Sequence, residues 1–318
     1  MIDYRKERIL ITGASGFLGT HLINIFKKYK IVTFNINSKQ YDLTRFDQTK
    51  SMFEKFKPSI VFSLAAKVGG ILDNKNFKAD FYYKNILINA YLFELAKKFK
   101  VKKLINVGAG CGYPLSLKEP LSEDKIWNGF PQADSAPYSM AKKMILLQSI
   151  AYKEQYGLNS VTIIPSNLYG EYDNFNLQKS HVIPALIRKF YESKLFGKKS
   201  VEIWGSGNAK RDFIHATDVA KSLFYVGKFY NDLLPINICS GKQYSLKLIA
   251  NILRKISDFE GKIIWNKNMP EGQKSRKMSN LNQKNRLKMW KCEIDIHKGL
   301  FRTFKWFKNN YNKKFIRL

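Results

Sequence analysis

The sequence predicts an α/β protein: a Rossmann-type doubly wound parallel sheet followed by a smaller C-terminal α/β domain. Two observations carry this expectation. Short β-branched or apolar runs alternate with helical patterns through the first half of the chain, and a glycine-rich turn, Gly13-Ala14-Ser15-Gly16-Phe17-Leu18-Gly19, follows the first of those runs. Strands that alternate with amphipathic helices pair in parallel through crossover connections. The expected strands are Arg8–Thr12, Ile31–Asn35, Ser59–Ala65, Lys103–Val107 and Ser160–Pro165. Between them, Phe17, Leu18, Leu22, Ile23 and Phe26 recur at helical spacing, as do Ile86, Leu87, Ala90, Leu92, Leu95 and Ala96, and both stripes should pack on the sheet.

After about Ser166 the pattern changes to loops, helical segments at Val182–Leu195 and Leu246–Ile256, and a short strand at Val201–Trp204. A last helix from His297 to Asn310 places Leu300, Phe304 and Phe307 on one face. The expected organisation is a dinucleotide-binding domain over residues 1–165 and a smaller second, substrate-binding domain over 166–318, with some strands and helices crossing over. No internal repeat or low-complexity linker separates them, so the two parts should pack tightly around a cleft.

Bulk composition narrows the class. With 318 residues, 45 % hydrophobic and 14 % aromatic, the chain can bury a large core. No stretch approaches the ~18 apolar residues of a membrane span. Met1-Ile2-Asp3-Tyr4-Arg5-Lys6 leads into a strand without a signal-type apolar region, so a cytoplasmic protein is expected. Cys111, Cys239 and Cys292 are too few and too scattered for a disulfide framework, and no paired Cys/His spacing suggests zinc. Reduced thiols and no bound metal are expected. The net charge of +30 raises nucleic acid or an anionic surface as partners. Lysine and asparagine are abundant along the whole chain, however, and no compact basic motif with interleaved aromatics stands out. The charge reads as a solvated basic surface that would still draw in a diphosphate, with no nucleic acid expected.

The glycine turn has the form of a dinucleotide loop. Gly13 allows the tight turn, Gly16 lets the backbone approach a pyrophosphate, and Gly19 allows close packing of helix on strand. A purely structural turn is the alternative, and the position after a first strand and before an amphipathic helix speaks against it. At the end of the second strand, Phe34-Asn35-Ile36-Asn37-Ser38-Lys39 holds neither the acid that binds ribose hydroxyls nor an arginine for a 2′-phosphate. The cofactor expectation is therefore NAD, with NADP possible if Lys39 folds back. Asp42, before Leu43, is a candidate partner for the adenine amino group, or an ordinary turn aspartate.

Tyr138-Ser139-Met140-Ala141-Lys142 sets a phenol and an ammonium on one helix face. A phenol near pKa ~10 is a poor proton shuttle at neutral pH; a nearby lysine cation and a nicotinamide ring would favour its phenolate and make it usable.

Together these motifs resemble the extended short-chain dehydrogenases, and among them the GDP-L-fucose synthase family of nucleotide-sugar epimerase/reductases. The likeness is carried by Leu64-Ala65-Ala66-Lys67-Val68-Gly69-Gly70-Ile71, Pro165-Ser166-Asn167-Leu168-Tyr169-Gly170, Asp173-Asn174-Phe175, Ser180-His181-Val182-Ile183-Pro184, Trp204-Gly205-Ser206-Gly207 and Arg211-Asp212-Phe213-Ile214-His215. It runs from about residue 8 to 220 and thins afterwards. The resemblance implies that Tyr138 exchanges a proton at C4 of the sugar while Lys142 holds the nicotinamide ribose, and that Cys111 and His181 are the epimerisation pair. A 4-keto group acidifies the protons at C3 and C5 that such a pair would move.

The resemblance also implies cofactor contacts from Gly13, Ser15, Gly16, Phe17, Leu18, Gly19, Asn35, Asp42, Leu43, Leu64, Ala65, Ala66, Lys67, Val107, Pro165, Asn167, Leu168 and His181, besides Tyr138 and Lys142. Substrate contacts would come from Ala109, Asn167, Lys189, Trp204, Arg211 and Lys277. Each has a packing or surface alternative. Relatives commonly form homodimers through a helical bundle.

Two positions depart from the pattern. The family's catalytic serine falls on Ala109, which cannot donate a hydrogen bond to a reacting oxygen, and Ser63 replaces a histidine or tyrosine. Losing such a donor costs a few kcal/mol of transition-state stabilisation unless Cys111, Ser139 or a water compensates. The expected function is an NAD(P)-dependent GDP-sugar oxidoreductase/epimerase moving hydride at C4. The alternatives are a GDP-hexose or GDP-heptose 4-dehydrogenase or 4-epimerase with tightly held NAD, and a catalytically silent dinucleotide-binding protein.

Overall fold

In chain order the secondary structure begins β1 (Ile9–Thr12), α1 (Phe17–Lys28), β2 (Phe34–Ile36), α2 (Phe46–Phe56), β3 (Ile60–Ser63), α3 (Ile71–Asn76), α4 (Lys78–Lys98), β4 (Lys103–Val107), α5 (Ala136–Tyr156) and β5 (Ser160–Pro165). It continues β6 (Asn167–Tyr169), α6 (Val182–Leu195), β7 (Ser200–Trp204), β8 (Lys210–His215), α7 (Ala216–Phe229), β9 (Ile236–Ile238), β10 (Gln243–Ser245), α8 (Leu246–Ile256), β11 (Lys262–Asn266), β12 (Ser275–Arg276), α9 (Leu281–Arg286) and α10 (Ile296–Asn310). The structure is a computed structural model that describes residues 1–269 and 272–318; the side chains of Leu72 and of Ile71, the last residue of the quoted loop segment, lie outside the described residues.

Among the described residues, six strands form an all-parallel sheet in the order β2-β1-β3-β4-β5-β9. Alternation along each strand divides the core. Ile9 and Ile11 of β1 face α1 and α7, with Leu22, Phe26, Leu223 and Val226, whereas Leu10, Val61 and Leu104 face α2, α4 and α5. Both faces are covered, which is why these strands read as continuous apolar runs. The chain leaves β1 for β2 on one side and returns to β3 on the other. The carboxyl ends of β1 and β3 therefore flank a topological switch point, the place where such sheets bind ligands.

One expected strand is displaced. Residues 31–35 were expected in β2, yet the strand covers Phe34–Ile36. The start of that run is consumed by the end of α1, where Lys30 takes a left-handed φ of 55° and Ile31 N–H donates to Phe26 O at 3.0 Å.

Residues beyond 165 finish the first sheet, since β9 adds its sixth strand and α7 lies beside α1. Buried Lys103, at the start of β4, fastens the end of α7 by donating to Val226 O at 3.0 Å, to Tyr230 O and to Asn231 Oδ1 at 3.1 Å. The remaining elements form a second core in which α6, α8 and α10 enclose β7 and β8. There β8 pairs with β6, β10 and β12 while β7 pairs with β11. No helix among the described residues is long and apolar enough to cross a membrane.

The two sheets meet at Asp212 on β8. Its fully buried carboxylate accepts from Ser166 Oγ at 3.1 Å, Ser240 N–H at 3.0 Å, Ser240 Oγ at 2.7 Å and Gly241 N–H at 2.9 Å. Ser166 follows β5 and Ser240 follows β9, so one side chain ties two carboxyl ends of the first sheet to the second. Asp212→Ala should lower stability by about 3 kcal/mol or more, because buried donors are left unmatched. Asp212→Asn, which keeps one acceptor oxygen, should cost less. Urea unfolding with an unchanged m-value is the measurement.

Candidate active site

At the switch point Gly13 turns with φ +63°, and a Cβ built on it would lie 2.8 Å from Ala65 N. A Cβ on Gly19 would collide with the carbonyl of Gly13, so α1 can approach the loop only with glycine there. Thr12 Oγ1 accepts from Leu64 N–H at 3.2 Å and Ala65 N–H at 3.3 Å, locking β1 to the loop after β3. Gly16 caps α1 with no side-chain hydrogen bond, which leaves first-turn amides around Phe17, Leu18 and Gly19 to a ligand. This is a cradle for a dinucleotide's pyrophosphate, with Ser15 exposed at its tip.

The adenosine side is looser. Asn35 is exposed at the end of β2 and accepts from Thr33 Oγ1 at 2.9 Å. Lys39 is exposed, and its N–H donates to Asn37 Oδ1 at 3.0 Å. Asp42 Oδ1 accepts from Thr44 N–H at 2.9 Å and Thr44 Oγ1 at 2.7 Å, a turn that buries Leu43. Ala65 and Ala66 are half-buried and Lys67 is exposed, its backbone held on both sides by Asn85.

The chemical groups gather past the end of β4. Val107 is half-buried, and Ala109 lies in extended backbone before a single turn, Gly110–Gly112, that presents Cys111. Tyr113 anchors this turn through a 2.7 Å bond to Asn237 Oδ1. Tyr138 stands in the first turn of α5, with its ring edge-on to Phe81 at 6.1 Å and 80°. Lys142 is one turn further and buried. Ser139, fully buried between them, donates its hydroxyl to Ser135 Oγ at 3.4 Å and lies near enough to Cys111 to favour its thiolate.

Electrostatics refine one expectation. Burial and the neighbouring Cys111 push the Tyr138 phenol up, so in the protein alone it holds its proton rather than standing as phenolate. Burial pulls Lys142 down to about 8, opposed by Cys111. Burial also raises the Cys111 thiol, while the Ser139 hydroxyl, Arg276 and Lys142 favour its thiolate.

His181 comes to this end of the sheet by another route. The chain before α6 packs on Gly70, whose N–H donates to Lys179 O at 3.2 Å, and Gly69 next to it packs on Phe81. His181 stands at the start of α6, and desolvation by the protein around its ring lowers its pKa. Pro165 is buried at the end of β5, and Asn167 and Leu168 follow on β6, with Asn167 Nδ2 donating to Asp212 O at 3.0 Å. Lys189 Nζ donates to Glu202 O at 2.8 Å and sits 5.7 Å from the Trp204 ring. Arg211 lies on β8, its Nη1 donating to Lys210 O at 2.8 Å.

Lys277 lies next to Arg276, and Arg276 is the residue whose charge acts on Cys111. Glu119 accepts from Ser275 Oγ at 2.9 Å and Lys277 N–H at 2.7 Å, while Arg276 and Met278 face the Cys111 turn. A two-residue strand shows no alternation from which sequence could choose between the neighbours.

A glycine cradle at a switch point beside a Tyr-x-x-x-Lys pair defines an enzyme of the short-chain dehydrogenase type. A family model described as "NAD dependent epimerase/dehydratase family" matches residues 9–239. The chain is 33 % identical over 305 residues to the GDP-L-fucose synthase of Sinorhizobium fredii, covering 96 % of each. It resembles the GDP-L-fucose synthetase of Naegleria fowleri bound to NADP with a TM-score of 0.93 and 29 % identity, over 100 % of this chain and 97 % of the other. It resembles a GDP-6-OMe-4-keto-L-xylo-heptose reductase of Campylobacter jejuni with a TM-score of 0.91 and 28 % identity, over 97 % and 99 %. The chain belongs to the NAD dependent epimerase/dehydratase family.

Asp173, on the loop that leads to His181, gives a stability prediction. Its buried carboxyl accepts from Asn174 N–H at 2.7 Å, and burial pushes it up to about 7, against Arg317. Since the folded value exceeds the ordinary 3.8, the folded chain keeps a proton that the unfolded chain has released. That contribution is full below about pH 4 and is lost as pH rises through about 7. Asp173→Asn should therefore raise Tm at pH 8 relative to the wild type and flatten the decline between pH 4 and 8.

Proposed function

We propose that the protein is an NAD(P)-dependent oxidoreductase/epimerase that reduces the C4 carbonyl of a GDP-linked 4-keto hexose or heptose and inverts its neighbouring carbons. The observation that carries this reading is the cluster of Cys111, Ser139, Tyr138 and Lys142 beyond β4, close to the glycine cradle. The nicotinamide dinucleotide supplies hydride when bound.

The side chains do the rest. Tyr138 hands its proton to the oxygen at C4 as the carbonyl becomes an alcohol, and a phenol kept protonated by burial suits that direction. Buried Lys142 places positive charge where the phenolate is left. At C3 or C5, one member of the Cys111 and His181 pair takes a proton. The C–H electron pair moves into an enolate, and the other member returns a proton to the opposite face. Arg211, Lys189 and Trp204 would hold the nucleotide diphosphate and base, with Lys277 beside them. Ala109 offers no donor to the C4 oxygen, which leaves that oxygen dependent on Tyr138.

The same reading includes a homodimer. It is supported by Tyr82 and Tyr83 of α4 and Leu147 of α5, which stand exposed on adjacent helices. It also includes a cytoplasmic location, supported by three free cysteines.

Two experiments test it with GDP-linked 4-keto sugars. Tyr138→Phe should lower hydride transfer by about 10³-fold, followed by nicotinamide absorbance. Cys111→Ser and His181→Asn should spare most of that transfer and stop uptake of solvent deuterium at C3 and C5; wild-type exchange in both would remove the epimerisation claim. Lys39→Glu should weaken NADPH binding about tenfold more than NADH binding, which is roughly one 1.4 kcal/mol contact. Equal effects on the two cofactors would show that Lys39 does not face a 2′-phosphate.

A further inference from the structure

The guanidinium of Arg276 is the least expected charge in the site. Arg276 Nε is buried and has no hydrogen-bond partner among the described residues. A buried charged donor without an acceptor is costly, so its retention calls for a physical reason. Its surroundings supply one. Arg276 pairs in register with Arg211 of β8, which fixes its backbone. Glu119 holds the residues on either side, accepting from Ser275 Oγ at 2.9 Å and from the backbone N–H of Lys277 at 2.7 Å. Two residues on, the Met278 sulfur lies 3.5 Å from where a Cβ on Gly110, the residue before Cys111, would stand. The side chain at position 276 is thereby directed at the Cys111 turn.

We propose that Arg276 is a positioning residue that holds the sulfur of Cys111 in its reactive, anionic form during proton transfer to and from the sugar carbons. The proposal rests on Cys111 being one of the proton-transfer pair. Every epimerisation step leaves the sulfur as thiolate at one end: before it removes a proton from carbon, or after it has delivered one. A facing cation lowers the energy of that end in both directions. The groups facing Cys111 are Ser139, Tyr138 and Lys142 from α5 and Arg276 from β12, with Glu119 and Tyr113 acting on Arg276 itself. Lys142 is already assigned to the tyrosine and the cofactor ribose, and its own charge is weakened by burial. Arginine keeps its proton throughout the working pH range, so the sulfur's charge partner does not titrate away.

The test is the pH dependence of Cys111 alkylation by iodoacetamide in the full chain without substrate. Peptide mass mapping separates Cys111 from Cys239 and Cys292. Arg276→Gln should move the alkylation midpoint up by about one pH unit and slow the reaction about tenfold below it, and Arg276→Lys should restore most of the rate. In D2O, Arg276→Gln should lower deuterium entry at C3 and C5 about tenfold while 4-keto reduction changes less than threefold. An unchanged midpoint in a folded Arg276→Gln protein, or a slower alkylation with no pH dependence, overturns the proposal. Loss of folding in Arg276→Gln leaves the decision to Arg276→Lys, whose midpoint must stay within half a unit of wild type. Wild-type exchange in Cys111→Ser would instead remove the underlying reading, and the alkylation profile separates the two failures.

Discussion

The buried carboxylate of Asp212 is the joint on which the site depends. It gathers donors from the ends of β5 and β9 onto β8. Those two ends would otherwise run apart, one into β6 and the other into β10. An anion buried at this depth is tolerated because its oxygens accept several short hydrogen bonds, which offset the loss of hydration. The strand that carries it also holds Arg211, receives β12 with Arg276, and lies beside β6 with Asn167. Residues of β6, β8 and β12 and the ends of β5 and β9 therefore share one rigid reference.

Around that joint the site divides its work by burial. Tyr138, Lys142 and Cys111 are each desolvated, and desolvation shifts each toward its neutral form. In the proposed reduction the neutral phenol is already the form that donates a proton, whereas the neutral thiol needs the charges and hydroxyl beside it to become thiolate. In the proposed mechanism Ser139 and Arg276 act on the sulfur, while Lys142 serves the phenol. Ala109 places a methyl group, with no hydrogen-bond donor, in the extended backbone that leads to the Cys111 turn.

Much of this was legible in sequence because it rests on local patterns. The runs at 103–107 and 160–165 form β4 and β5 at the expected residues, and α6 and α8 likewise, since burial on both faces or on one helical stripe writes itself into the chain. The glycines and the Tyr-x-x-x-Lys pair were legible because backbone approach and helix geometry restrict what can stand there. What escaped depends on contacts between distant segments. The start of β2 was lost to a helix end whose hydrogen bonds reach back to Phe26. The segment that carries Arg276 is held by Glu119, more than a hundred positions away. No periodicity announced that β9 would return to the first sheet.

That return has a consequence for how the chain is made. β5 ends at Pro165 and its partner β9 does not begin until Ile236, so a nascent chain that has completed β5 holds an open strand edge until the intervening segment has been synthesised. At ordinary rates of translation the interval is on the order of several seconds, long compared with collapse of the helices already made. Through that interval Ile163 and Ile164 present unpaired backbone beside an apolar surface that α7 has not yet covered. The nucleotide-binding half thus cannot mature first and wait for the other; the two halves are finished together, and the ribosome sets the earliest time at which the edge can close.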